Sequence, residues 1–192
     1  MIYQDPICTF PGRYDIICES NGKSLREYLR GKNLRVLDIG CSVGVETARL
    51  AFQNPQHSFT GLDIRPELIK IANSGLWSIT EDLIDYKEKW DENNFPEVFQ
   101  ILKHGEGTLG VKAQNWDSCP YLKLKKYPLS NLNYVVGDYG EIKFPKESFD
   151  LIFGFICGVD RNQEKVMPNL MRLLVDNGIL VTERSIFYKN YR

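Results

Sequence analysis

Histidine is scarce in this chain, with two among 192 residues. His57 and His104 stand far apart and lack metal-ligand company. A catalytic zinc or a serine–histidine triad would have to use one of them, so neither chemistry is expected, and no metal site is. Cysteine occurs five times, an odd number, at Cys8, Cys18, Cys41, Cys119 and Cys157, with no C-x-x-C pair. That argues against a disulfide framework and against a zinc ribbon. No apolar run approaches the ~18–20 residues of a membrane span. Met1–Phe10 has no basic start followed by an apolar run, so no signal peptide is expected. A cytoplasmic setting without a membrane follows as the expectation. Neither sign of charge is in excess: 24 basic against 25 acidic side chains leave −1. The chain as a whole therefore has no general pull toward nucleic acid or acidic membranes.

What is present is ordinary globular composition, 43% hydrophobic and 26% charged, at a length that suits one domain spanning 1–192. Leu34–Ile39 reads as a first strand and Val45–Phe52 as a helix. His57–Asp63 reads as a second strand, and Pro66 opens a second helix that Asn73-Ser-Gly75 can end. Leu132–Val136, Phe149–Phe155 and Ile179–Glu183 continue the strand series. Gln163–Leu174 carries Val166, Leu170, Leu173 and Leu174 at helical spacing, and Asn177-Gly178 marks a turn. Strands alternating with helices imply parallel β-α-β units. Continuous apolar strands imply a sheet covered on both faces. The expected fold is thus α/β: a Rossmann-like, mostly parallel sheet with helices on both faces. Its core covers about 30–75 and 132–192. Residues 76–131 are less regular and read as an inserted cap between the second and third sheet strands. Within the insert, Ile79–Trp90 looks helical, Phe95–Leu102 is a short helix or a strand, and Tyr121–Tyr127 alternates like a strand.

Three features carry chemistry. Asp38-x-Gly40-x-Ser42-x-Gly44 sits at a strand-to-helix turn, where glycine lets the backbone bend tightly and approach a ligand. Open α/β sheets bind ligands at the carboxyl ends of their strands. The spacing is not G-x-G-x-x-G, and this loop carries no Walker lysine. An acid in this loop opposes a pyrophosphate but suits a ligand with an ammonium group and no phosphate, as in S-adenosylmethionine. Second, Asp63 ends the second strand and could accept hydrogen bonds from both ribose hydroxyls. Third, Gly137-Asp138-Tyr139 follows the third strand; Asp138 could accept from an adenine amine and Tyr139 could pack on the purine. The plainer readings are a turn without a ligand, a capping aspartate and a core tyrosine.

These residues in this order resemble the class I methyltransferases. The resemblance rests on Val36-Leu-Asp-Ile-Gly-Cys-Ser-Val-Gly44, Gly61-Leu-Asp-Ile64, Gly137-Asp138 with Phe149-Asp-Leu-Ile-Phe153, and Val175-Asp-Asn-Gly-Ile-Leu-Val181. It implies S-adenosylmethionine as cofactor, with Asp38, Gly40 and Gly44 flanking the methionine part, Asp63 holding the ribose and Asp138 the adenine; Ser42, Ile64 and Tyr139 are expected beside them as cofactor-binding residues. Gly40–Ala51 and Ala72–Trp77 also resemble the chemotaxis-receptor glutamate methyltransferases, which would set Glu46 near the cofactor. That family's arginine–asparagine pair after the fourth strand and its N-terminal helical domain have no counterpart, so its acceptor is not carried over. The class I sheet usually ends in an antiparallel hairpin. Only one short strand, at Ser185–Tyr188, fits here, so a shortened C-terminal end is expected. The acceptor edge is expected at Phe155–Asp160, where Asp160 is the only carboxylate and a weak base candidate; a helix cap is its plainer role. The expected activity is methyl transfer to a small-molecule or protein side-chain acceptor. The alternative is a non-catalytic cofactor-binding or interaction domain. The run Tyr121–Tyr127, with Lys123, Lys125 and Lys126, reads better as a guarded edge strand than as a nucleic-acid contact.

Overall fold

A computed structural model describes residues 22–31, 33–78, 98–102, 121–155, 159 and 163–190, together with Tyr14 and Cys18. Its frame is a six-stranded sheet in the order β6-β2-β1-β7-β8-β9. The strands are β1 (Arg35–Ile39), β2 (Ser58–Asp63), β6 (Leu132–Val136), β7 (Phe149–Gly154), β8 (Leu174–Thr182) and β9 (Ile186–Tyr188). The first five pair in parallel, and β9 alone runs antiparallel, against β8. Three β-strands of a second, antiparallel sheet come from the 76–131 region: β3 (Leu76–Ser78), β4 (Phe99–Leu102) and β5 (Tyr121–Leu124), in the order β3-β5-β4.

Successive side chains on a strand point to opposite faces, and this alternation sorts the core. Val36, Leu151 and Phe153 turn to one face, beneath α1 (Leu25–Tyr28) and α2 (Val45–Gln53). α3 (Pro66–Ala72) lies on the same side, where Ile69 and Ala72 meet Cys41 and Tyr134. Leu37, Ile39 and Ile152 turn to the other face and pack against Val166, Leu170 and Leu173 of α4 (Gln163–Leu173). Helices on both faces explain why β1 and β7 are apolar almost throughout.

The expected strands and helices of the main sheet are present to within a residue or two, with one correction. The Asn177-Gly178 turn does not precede the last strand. Leu174 already pairs with Phe149, and the ladder slips before Leu151 meets Ile179. Asn177 takes a left-handed φ of 61° inside this irregularity, and its N–H donates to Lys189 O at 2.9 Å. A tertiary partner, the β9 end, thus turns a local turn signal into a bulge. The Phe95–Leu102 alternative resolves to a strand at Phe99–Leu102. The Ile79–Trp90 helix, the turns at Gly105–Gly110, Cys157 and Asp160 lie outside the described residues.

Part of the second sheet is fastened to the glycine loop. Trp77 and Leu124 are buried against Val43, Val45, Ala48 and Leu68. The Trp77 indole N–H donates to Val43 O at 2.5 Å. Among the described residues, no helix is long and apolar enough to cross a membrane, and no group of three or more His, Cys, Asp and Glu side chains could hold a metal ion.

Candidate functional site

The loop after β1 folds over the end of β2. The N–H groups of Gly40 and Cys41 both donate to Leu62 O, at 2.7 and 3.0 Å. Gly40, Ser42 and Gly44 all have left-handed φ, at 68°, 55° and 75°. Glycine adopts this conformation freely; Ser42 does so at a cost. The turn aims the Ser42 N–H at Asp63 Oδ2, 3.0 Å away. The first two sequence features are therefore one hydrogen-bonded unit.

A cleft of about 320 Å³ opens at the carboxyl ends of β1, β2 and β6. Gly40, Leu62, Asp63, Ile64, Arg65, Gly137, Asp138 and Tyr139 line it. Asp63 is 6% exposed. Its Oδ1 accepts from the Arg65 N–H at 2.9 Å and from Arg65 Nε at 3.4 Å. Ile64 is 60% exposed, an unusual setting for so large an apolar side chain. Asp138 Oδ1 accepts from the Gly140 N–H at 2.7 Å, and the Tyr139 carbonyl is held by Asn169 Nδ2 at 2.8 Å. Both residues are half-buried.

Five of the nine residues expected around a cofactor thus meet at one cleft: Gly40, Asp63, Ile64, Asp138 and Tyr139. Ser42 joins through its N–H. Asp38, Gly44 and Glu46 do not line it. Asp38 shares the helix-covered face of β1 with Val36, and it is 1% exposed. Its two carboxylate oxygens accept short hydrogen bonds from the Tyr14 and Thr47 hydroxyls. Glu46 is buried too, paired with Arg49 at 2.5 Å and accepting from the Tyr14 N–H at 3.3 Å. Burial, and then the Asp38 charge, raises the Tyr14 phenol well above its ordinary range, so it stays a donor. Gly44 meets protein rather than cleft. The Tyr134 ring lies where its Cβ would be, and the Tyr134 hydroxyl donates to Gly44 O at 2.6 Å. Burial likewise pushes the Cys41 thiol up, making it a neutral core group. His57 is buried and structural: its Nδ1 accepts from the Leu34 N–H at 3.2 Å, and its Nε2 faces Leu29 O at 3.1 Å.

Two participants had no clear signal in the sequence. Arg65 sits two residues beyond a strand-end acid, a spacing that suggests a local turn but no side-chain contact. Tyr14 reaches Asp38 from 24 positions away, and no local pattern reports such a contact.

An open α/β sheet with a glycine turn, a strand-end carboxylate and a cleft across the strand ends defines a nucleotide- or nucleoside-binding Rossmann-like domain. Sequence comparison narrows the class. Two family models, each described as a methyltransferase domain, match residues 30–82 and 115–182. Both stretches are thus similar to methyltransferase domains, and the fold they share is Rossmann-like. No curated protein matches the sequence. Among solved structures, it is similar to an S-adenosylmethionine-dependent methyltransferase from Aquifex aeolicus, at 15% identity and a TM-score of 0.50, covering 90% of this chain and 66% of that one. The [4+2]-cyclase SpnF gives 15% and 0.51, with 88% and 42% covered. The MccD protein gives 17% and 0.50, with 91% and 54% covered. At these identities the likeness speaks for the fold. The chain spans about half the length of the solved proteins it matches.

Proposed function

We propose that this chain binds S-adenosylmethionine in the cleft at the ends of β1, β2 and β6 and transfers its methyl group to a small-molecule or protein side-chain acceptor. The observation that carries this reading is the convergence of Asp63, Gly40, Ile64, Asp138 and Tyr139 on that cleft, in a chain of methyltransferase sequence. The donor chemistry fits. Asp63 faces the cleft with acceptor capacity left on Oδ2 for a ribose hydroxyl. Asp138 keeps its second carboxylate oxygen for an exocyclic amine. Ile64 and Tyr139 offer apolar surface to a purine. The Gly40 turn presents backbone without a side chain. In this reading Asp38 and Glu46 act from behind, holding the loop through Tyr14, Thr47 and Arg49.

S-adenosylmethionine supplies an already activated methyl group, so the protein's main task is to align an acceptor with it. Ring packing joins that edge to the loop: Phe155, just beyond β7, stacks edge-on against Tyr14 with centroids 4.7 Å apart. The 76–131 segment is proposed to shape the acceptor side as a cap.

Thermal melting with S-adenosylmethionine, S-adenosylhomocysteine and NAD tests the reading. The two sulfur nucleosides should raise the melting temperature and NAD should not, because only ligands of the folded state stabilise it. Transfer of a labelled methyl group into small-molecule and protein pools then tests activity. A shift with NAD alone overturns the cofactor reading. Cofactor binding without any transfer to either pool would favour a non-catalytic domain.

A further inference from the structure

A carboxylate offers about four acceptor sites, two on each oxygen. Three of those on Asp63 are taken: the Ser42 N–H at Oδ2, and the Arg65 N–H and Nε at Oδ1. One vacancy remains, on Oδ2. A ribose diol brings two hydroxyl donors and needs two acceptors. We propose that the Arg65 side chain is a displaceable occupant of the ribose acceptor, which must leave Asp63 when a diol binds and so sets the sugar selectivity of the cleft. This rests on the cofactor reading above and deepens it.

Of the three donors, only the side chain can leave. The Ser42 N–H is fixed by the loop. The Arg65 backbone is fixed as the N-cap of α3, its carbonyl accepting from the Leu68 and Ile69 N–H groups at 3.2 and 3.3 Å. The guanidinium contact is the longest of the three at 3.4 Å, and the Arg65 side chain is 51% exposed against 6% for Asp63. Released, it returns to water at little cost, since a pair with so exposed a partner is weak. A nucleoside with a single ribose hydroxyl can use the Oδ2 vacancy and leave Arg65 in place. The arginine therefore penalises diols and spares deoxy sugars.

The test is calorimetric titration of S-adenosylhomocysteine into the wild type and Arg65→Ala, followed by displacement with adenosine and with 2′-deoxyadenosine. Arg65→Ala should bind S-adenosylhomocysteine and adenosine about two- to fivefold more tightly, the worth of a weak ion pair. Its affinity for 2′-deoxyadenosine should stay unchanged. Both nucleosides are uncharged, so a general charge effect would move them together. Equal or weaker S-adenosylhomocysteine binding by Arg65→Ala, or the same gain for both nucleosides, overturns the proposal while leaving the cofactor site standing. A wild type that binds no S-adenosylhomocysteine brings down the cofactor reading itself.

Discussion

Asp63 and Gly44 show how residues from adjacent motifs take different work. Asp63 combines burial, two backbone donors and access to the cleft. Asp63→Ala should weaken S-adenosylmethionine binding by tenfold or more, since a hydrogen bond to a charged group contributes about 1.5–3 kcal/mol. Unchanged affinity in calorimetry would remove Asp63 from the site. Gly44 has a different duty. Its φ of 75° and the Tyr134 ring above it leave no room for a side chain. Gly44→Ala should therefore cost about 1–3 kcal/mol of stability through overpacking, read as a lower urea midpoint. A variant as stable as the wild type would mean that Tyr134 moves aside freely.

Among the elements, the β3-β5-β4 sheet is the one whose attachment the structure makes plain. Trp77 buries its ring against α2 and α3 and caps the Val43 carbonyl. Trp77→Phe keeps a large ring but orphans that carbonyl, so a loss of about 1–3 kcal/mol is expected in chemical unfolding. An unaltered unfolding curve would show that the N–H holds nothing in place. The proposed cap role is tested separately. β4 and β5 are antiparallel, with Leu102 opposite Tyr121, so a two-residue turn can replace 103–120. The shortened protein should keep S-adenosylhomocysteine binding and lose or redirect methyl transfer. The same acceptor methylated at the same rate would deny the segment a part in substrate choice.

For the whole molecule, the fold by itself does not choose the reaction, since a [4+2]-cyclase shares it. In the proposed reading, cofactor selection rests on the charge of the cleft. Asp63 and Asp138 line it with carboxylates, Arg65 is the one basic residue among the described lining, and the loop from Gly40 to Gly44 carries no Walker lysine. NAD and ATP, both rich in phosphate charge, should bind at least tenfold more weakly than S-adenosylhomocysteine, the loss from about 1.4 kcal/mol of unfavourable charge. Competition titration measures this directly. Micromolar NAD or ATP binding with none for the sulfur nucleoside would reverse the assignment.

The sequence by itself determined most strands and helices of the main sheet to within a residue or two, and that its strands run parallel, because hydrophobic period and turn residues act locally on the backbone. It also brought out Gly40, Asp63, Asp138 and Tyr139, because a strand end in such a fold has a known address. Tertiary structure alone decided where Asp38 and Glu46 point. Asp38 lies inside the β1 ladder, opposite Gly61 and Phe153, so strand alternation turns it under α2, and Tyr14 supplies a partner from far up the chain. It decided that Gly44 answers to Tyr134, that the Asn177-Gly178 turn becomes a bulge beside β9, and that Arg65 shares the Asp63 carboxylate. The physical reason is common to all four. Period and propensity describe the chain to its neighbours a few residues away, whereas the partner of a buried polar group or the ring over a glycine comes from whatever the packed fold brings there.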